Sequence, residues 1–158
     1  MQVGQGLDAS ARLPGGRGMD AWHSLLQAHA TLMRQLAMDL ERETGLALAD
    51  FDVLAQLSVA GGELRMTELA ARALISRSGM TRRVARLADE GLVRRRTAGA
   101  DGRGVVVALT DAGMARLTET APVHVGGVSE LFLAKLDDQE LAALKSALDK
   151  VSVDCAFG

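Results

Sequence analysis

Apolar residues recur along most of the chain at the spacing of an amphipathic helix. Between residues 20 and 44, Leu25, Leu32, Leu36 and Leu40 fall on or near one side of such a helix, and Gly45 predicts its end. Further helices are predicted over residues 49–60, 68–73, 77–90, 111–133 and 137–151. Residues 1–18 show no sustained period and contain several glycines and a proline, which predicts a flexible arm.

The period of the apolar residues changes to two between residues 92 and 109. Residues 92–97 and 105–109 each predict a strand, and the glycine-rich connection 98–104 predicts that they pair as a hairpin. Residues 64–66 predict a short extended piece ahead of the brief helix. Side-chain oxygens accept hydrogen bonds from the free N–H groups at helix starts, so the predicted helix caps are Thr67, Ser76, Thr110 and the pair Asp137 and Glu140.

This order of elements predicts a mainly α fold with a small β-wing, arranged as a winged helix-turn-helix. In that arrangement the short helix supports the longer one, helix 77–90 enters the major groove of DNA, and the hairpin reaches an adjacent backbone or minor groove. Met80, Val84 and Leu87 fall on one side of helix 77–90 and are its predicted buried face.

Positive charge is concentrated in the same segment. Residues 65–104 contain ten arginines and four acidic residues, a net charge of +6, whereas the rest of the chain carries −8. A basic centre in an acidic chain is typical of a surface that binds a polyanion, and the alternative is a merely solvated charged surface. The pure arginine content and the helix-turn-helix pattern favour duplex DNA.

The candidate DNA contacts lie on helix 77–90 and on the wing. They are Ser76, Arg77, Ser78, Thr81, Arg82, Arg83 and Arg86 on the helix and Arg103 on the wing. Arg82 suits the paired acceptors of guanine, and Ser78 and Thr81 are short enough for close approach to base edges. Arg83 is predicted to contact phosphate, and Arg103, between two glycines, is predicted to enter a narrow minor groove.

Other residues of this segment are expected to play supporting roles. Asp101 is predicted to support the wing rather than to touch DNA. Gly79 permits either close approach to DNA or close packing against a neighbouring helix. Residues 94–96 are three arginines that alternate along a strand, so they cannot all face DNA. One or two of them are expected to be solvated or paired with Asp89 or Glu90.

The composition excludes several other classes of protein. No apolar run approaches the roughly 18–20 residues that span a bilayer, and residues 1–18 lack the apolar block of a secretory signal. Aromatic residues make up 3% of the chain, too few for the stacking platforms that bind single-stranded nucleic acid. No nucleophile–base pairing, phosphate-binding glycine loop or carboxylate pair indicates an enzyme. The single cysteine, Cys155, suggests a reducing compartment, so we expect a cytoplasmic protein.

From about residue 22 to residue 151, the chain resembles the MarR family of bacterial transcriptional regulators. The resemblance rests on Phe51-Asp52-Val53-Leu54, Met66-Thr67-Glu68-Leu69-Ala70, Ser76-Arg77-Ser78-Gly79-Met80-Thr81-Arg82, residues 87–95, Asp101-Gly102-Arg103-Gly104 and Leu109-Thr110-Asp111-Ala112-Gly113. The wing-tip pattern Asp-x-Arg-Gly followed by Leu-Thr-x-x-Gly is more specific to this family than a helix-turn-helix alone.

The resemblance implies a homodimer that binds pseudo-palindromic duplex DNA and often represses nearby genes. It implies one MarR-like domain over residues 19–158, with a DNA-binding lobe at 46–110 and dimerisation helices at 19–45 and 111–152. These flanking helices carry more apolar residues than a DNA-binding core needs, which fits that division. Many members of the family release DNA when a small aromatic acid or phenol binds between the dimer platform and the DNA-binding lobe.

The predicted lining of such an effector pocket is Trp22, His29 and Asp52, with Arg83 or Arg86 pairing a carboxylate of the ligand. The alternative roles are structural. Trp22 is then packed in the dimer, and Asp52 serves the N-terminus of a helix.

No metal or other cofactor is predicted. His23, His29 and His124 lie far apart in the sequence and lack a short-range partner of ligand type, so each is expected at a dimer interface or on the surface. Some members of the family sense oxidants through a cysteine in the first helix. Cys155 lies in the C-terminal tail instead and is predicted to have no sensing role.

Two alternatives to a ligand-controlled DNA-binding repressor stay open. The winged helix would serve as a protein-interaction module if helix 77–90 exposed an apolar patch, whereas its sequence offers Ser78, Arg82 and Arg86. A regulator without ligand control would bind DNA constitutively.

Overall fold

The computed structural model describes residues 16–73, 75–98 and 104–156. These residues fall into two compact units, one that ends at Arg34 and one that begins at Gln35. Within the described residues, the order of elements is α1 (Arg17–Thr44), α2 (Leu48–Val59), β1 (Glu63–Arg65), α3 (Met66–Arg72), α4 (Arg77–Asp89), β2 (Val93–Thr97), β3 (Val105–Leu109), α5 (Asp111–Leu131) and α6 (Asp138–Ala156), with a single 3-10 turn at Leu133–Lys135. The predicted fold class, mainly α with a small β-wing, is confirmed.

The first unit consists of the N-terminal part of α1 and exposes an apolar stripe. Trp22, Leu25, Leu26 and Met33 are between 39% and 51% exposed, and their spacing places them along one side of the helix. Helix α1 begins at Arg17, so the predicted arm is wrong for residues 17 and 18, which are helical. Residues 1–15 of that arm lie outside the described residues. Among the described helices, none is both long enough and apolar enough to cross a membrane.

The core of the second unit lies beneath α4. Leu54 and Leu57 of α2, Leu69 of α3, Leu87 of α4 and Val107 of β3 are fully buried in one cluster. Each of these helices contributes one apolar side to the cluster, as the periodicity predicts. The packing therefore fixes which side of α4 faces inward.

The wing is part of a three-stranded antiparallel sheet, with strands in the order β1-β3-β2. Arg65 of β1 pairs with Val106 of β3, and Arg95 of β2 pairs with Val107 of β3. The predicted two-stranded hairpin was therefore incomplete. Leu64 buries its side chain in the core, and the pairing with β3 gives β1 partners for backbone groups that would otherwise lack them.

Three of the predicted helix caps are confirmed. Ser76 Oγ accepts a hydrogen bond from Gly79 N at 3.1 Å, and Thr110 Oγ1 accepts one from Gly113 N at 3.0 Å. Asp137 and Glu140 exchange the two reciprocal bonds of a capping box. The cap predicted at Thr67 is wrong. Helix α3 begins at Met66 directly after β1, which leaves Arg65 at the cap position without a side-chain cap and Thr67 inside the first turn.

Gly113 has no room for a side chain. A Cβ atom at this position would lie 2.0 Å from the carbonyl oxygen of Leu92 and 2.7 Å from Cδ1 of Leu109. The first turn of α5 therefore packs directly on the backbone that leads into β2. The glycine of the Leu-Thr-x-x-Gly pattern serves this close approach.

We expect Gly113→Ala to lower the free energy of unfolding by roughly 1–3 kcal/mol or more, because the backbone of Leu92 or α5 must move to admit the methyl group. Urea unfolding followed by circular dichroism measures the change. Gly18→Ala is the control, since a Cβ there meets nothing within 4 Å, and its effect is expected within about 0.5 kcal/mol. Equal stability of the two variants would contradict the packing described.

Candidate nucleic-acid interface

Helix α4 separates its apolar and cationic residues between two sides. Met80, Val84 and Leu87 are completely buried. Ser78, Thr81, Arg82 and Arg86, which lie away from that side, are exposed, and so are Ser76 and Arg77 at the start of the helix. Arg83 is the exception among the predicted contacts because its side chain is only 26% exposed. That these residues touch DNA stays a prediction.

The start of α4 is held by a compact turn. Ser76 caps the helix through Gly79 N, and the Thr81 hydroxyl donates to the carbonyl oxygen of Arg77 at 2.8 Å. A Cβ atom on Gly79 would lie 3.0 Å from Ser76 Oγ and 3.1 Å from Cγ2 of Ile75. The glycine thus makes room for the capping turn itself. Neither a neighbouring helix nor DNA is needed to explain it.

Two of the candidate arginines bind a buried carboxylate on α2. Asp50 is 4% exposed. Its Oδ1 accepts hydrogen bonds from Arg83 Nη1 and from Arg86 Nη2, the latter at 2.8 Å, while its Oδ2 accepts one from Arg86 Nη1 at 3.2 Å. Helical spacing places Arg86 nearly opposite the buried face of α4, but its long side chain turns back to reach α2.

A shallow cationic cavity of about 260 Å³ lies beside this ion pair. Its lining consists of Ile75, Gly79, Arg82, Arg83 and Arg86. Arg83 Nε is buried and has no hydrogen-bond partner among the described residues. The three arginines in its lining make the cavity suited to an anion. Arg83 or Arg86 is predicted to pair with a carboxylate of the ligand. In the structure, Asp50 already binds both of these side chains.

The wing carries arginines on both sides of the sheet. By the strand register, Arg94 and Arg96 share one side with Arg65, and Arg95 lies on the other. Arg96 Nη2 lies 2.8 Å from Glu63 Oε1, a partner that was not expected. The partner was missed because β1 was not expected to join the sheet. Arg94 and Arg95 are exposed, in keeping with the expectation that one or two of the three arginines are solvated.

Arg103 and Asp101, the predicted minor-groove contact and its support, lie outside the described residues.

The residues predicted to line an effector pocket lie on two elements. Trp22, 51% exposed, and His29, also exposed, lie on α1 in the first unit. Asp52 lies in the second unit, on α2, and is partly buried. That the three line one pocket stays a prediction.

His124 of α5 lies against α2. Its ring centroid is 4.7 Å from that of Phe51, and its Nδ1 is buried without a hydrogen-bond partner among the described residues. Burial lowers the pKa of His124 below its ordinary value of 6.5, and the charge of Asp52 opposes this effect in part. In the part of the chain that is described, no three His, Cys, Asp or Glu side chains gather as a metal site would require.

Sequence reasoning did not single out Asp50 as a residue of this site. A signal was present. Asp50 stands three residues before Val53 and four before Leu54, both buried, so it interrupts the apolar side of α2. A carboxylate on a buried face requires a positive partner, and the arginine-rich helix offers several.

The comparisons with known proteins agree on one family. The sequence profile of the MarR family matches residues 44–104. An uncharacterized HTH-type transcriptional regulator from Bacillus cereus is 29% identical over 117 residues, which are 74% of this chain and 77% of that protein.

Two solved structures from Streptomyces coelicolor are similar over almost the whole chain. AbsC, a MarR family transcriptional regulator, has a TM-score of 0.84 and 29% identity, and the match covers 94% of this chain and 100% of that one. Sco3205, a MarR family transcriptional regulator solved in complex with DNA, has a TM-score of 0.82 and 32% identity, with 92% and 91% of the two chains covered.

We expect Ser76→Ala to destabilise the protein by about 1 kcal/mol, because Gly79 N at the start of α4 loses its acceptor. Ser78→Ala is the matched control. Ser78 lies in the same turn and does not cap the helix, so its change is expected within about 0.5 kcal/mol. Thermal unfolding of both variants tests this, and a smaller loss for Ser76→Ala than for Ser78→Ala would contradict it.

The lowered pKa of His124 predicts a pH dependence of stability. The unfolded chain binds a proton at His124 near pH 6.5 and the folded chain only at lower pH, so stability is complete above about pH 6.5 and falls as the pH drops through the folded pKa. Between about pH 7 and pH 5, His124→Gln is expected to lose less unfolding free energy than the parent protein. NMR titration of the His124 ring gives the folded pKa directly, and a value at or above 6.5 would refute the assignment.

Proposed function

This chain belongs to the MarR family of transcriptional regulators, and from that membership we propose that it binds a two-fold symmetric duplex DNA site as a homodimer and represses transcription there. The observation that carries the proposal is the exposed cationic side of α4. Arg82 and Arg86 face solvent there, and Arg77 is exposed at the start of the helix, whereas the other side of the helix is fully buried. A helix fixed in this way presents the same side chains to every duplex that it meets.

DNA recognition is assigned to α4 for base edges and to the wing for the adjacent backbone or minor groove. Arg82 is exposed in the middle of α4 and has the two parallel donors that match guanine O6 and N7. On the same helix, Ser78 lies one turn earlier and Thr81 directly precedes Arg82. The solved complex of Sco3205 with DNA, from a protein 32% identical to this chain, supports duplex DNA as the partner.

Dimerisation is assigned to the helices that flank the DNA-binding lobe, over residues 19–45 and 111–152. Apolar side chains that no described residue covers support it. The first unit exposes the stripe of Trp22, Leu25, Leu26 and Met33. In the second unit, Val125 and Val151 are 62% and 59% exposed. A second copy of the chain would remove these surfaces from water.

Control by a small aromatic acid or phenol is the finer part of the proposal. Such a ligand has an apolar ring for Trp22 and a polar group for His29, Asp52 or an arginine of α4. It would release DNA only if it favours one spacing of the two recognition helices over another. Because the chromosome is the target, we assign the protein to the cytoplasm of a bacterial cell.

Selection of bound duplexes from a random pool is the decisive experiment. We expect a preferred site with two half-sites about one helical turn apart and an affinity that falls steeply as salt rises. A pool without any preferred sequence, together with a flat salt response, would refute the proposed function. A single half-site with no symmetry would refute the dimer.

We expect Arg82→Ala to weaken binding to the selected site by about 1–3 kcal/mol and to relax the preference for the base pair that Arg82 contacts. Arg42→Ala is the control, because it removes the same charge from α1, where the side chain is 65% exposed and paired with Asp39. Gel-shift titration at fixed salt measures both. Unchanged DNA affinity in Arg82→Ala, with loss of a protein partner, would instead favour the interaction module.

Titration of candidate phenolic acids against the DNA complex tests the control by a ligand. If none of them changes the DNA affinity, constitutive binding is favoured.

A further inference from the structure

We propose that Asp50 is a positioning residue for DNA recognition, which acts by holding the guanidinium of Arg86 in a fixed place at the edge of α4. The inference rests on the proposed function, since it assumes that α4 binds DNA. It adds a residue of α2 that carries the opposite charge to the arginines and is buried too deeply to touch DNA itself.

The contact geometry fixes Arg86 through two bonds at once. Its Nη1 and Nη2 donate to the two different oxygens of Asp50, at 3.2 and 2.8 Å. A two-pronged pair of this kind defines the plane and the direction of the guanidinium, whereas a single bond would leave it free to rotate. Asp50 is itself fixed, because its side chain is 6% exposed and Arg83 Nη1 also donates to it.

Arg86 keeps N–H groups that its pairing with Asp50 does not use. A guanidinium has five N–H groups, and the pair with Asp50 uses two of them. The Arg86 side chain is 50% exposed and lines the shallow cavity together with Arg82. One edge of Arg86 is therefore anchored to α2 while the opposite edge remains available to a phosphate oxygen.

The local charge also favours an anion after the pairing. Arg82, Arg83 and Arg86 surround one carboxylate, which leaves a net charge of +2 beside the cavity. Asp50 lies in the first turn of α2, where the helix dipole further stabilises its negative charge. The carboxylate thus keeps its partners oriented without cancelling the attraction for DNA.

Positioning and simple electrostatics make opposite predictions for Asp50→Asn. If only total charge mattered, the loss of one negative charge would strengthen DNA binding. If Asp50 orients Arg86, the selected duplex is bound more weakly, on the order of tenfold, while an unrelated duplex is bound about as before. The salt dependence of specific binding also becomes shallower by about one unit, which corresponds to one lost phosphate contact.

Glu90→Gln is the matched control. Glu90 is exposed at the end of α4, and its substitution makes the same change in net charge without touching Arg83 or Arg86. We expect its affinity for the selected duplex to equal or slightly exceed that of the parent protein. Comparable losses in Asp50→Asn and Glu90→Gln would overturn the proposal.

The double variant Asp50→Asn with Arg86→Ala tests whether Asp50 acts through Arg86. If it does, Asp50→Asn costs much less affinity in the Arg86→Ala background than in the parent protein. A merely structural role predicts equal costs in both backgrounds, and that result would overturn the proposal. Circular dichroism melts show that each variant is folded at the assay temperature.

Removal of one partner from a buried ion pair can unfold a protein. If Asp50→Asn does not fold, a second variant tests the proposal in its place. Arg86→Lys keeps the charge for a phosphate but cannot make the two-pronged pair. We expect its specific affinity to fall by roughly tenfold, and parent-like affinity would overturn the proposal.

The parent protein separates this test from that of the proposed function. If the parent selects no duplex, the proposed function fails, and if it does but the variants bind like the parent, only the role of Asp50 fails.

Discussion

The burial of Met80, Val84 and Leu87 is the constraint on which the rest of the structure depends. These three side chains have no exposed surface, and they set the rotation of α4 about its own axis. A rotation of α4 would place arginines in an apolar core, where an unpaired charge is very unfavourable. The cationic side of the helix is therefore displayed as a direct consequence of how its apolar side is packed.

The second influence on α4 is electrostatic. The side chains of Arg83 and Arg86 are long enough to bend away from the direction that their helical positions suggest, and both bind Asp50. Core packing thus fixes the helix, whereas the ion pair fixes two of its side chains. Arg77 and Arg82 have no ion-pair partner within the described ranges, so the exposed arginines of α4 include both paired and unpaired side chains.

Much of the fold could be predicted from local sequence because its signals are local. Ser76 and Thr110 cap the helices that were expected, since a hydroxyl three residues from a free N–H is a property of a short segment. The buried side of α4 followed from its period. Apart from two local errors, at the Thr67 cap and at the start of α1, the errors concern pairings between distant segments. The partner of Arg96 is Glu63, 33 residues away, and the third strand of the sheet comes from β1, which the sequence shows only as a short extended piece.

The sequence by itself determined the helix boundaries to within a few residues, the winged helix-turn-helix order, and the basic segment with its exposed arginines. All of these depend on residues that are neighbours along the chain. Only the tertiary structure decided that Asp50 of α2 lies beside Arg83 and Arg86, and that Gly113 must be a glycine because the backbone at Leu92 passes close by. Contacts of this kind depend on how separate elements pack in three dimensions. The spacing of residues along one element does not show which side chains of another element will lie against it.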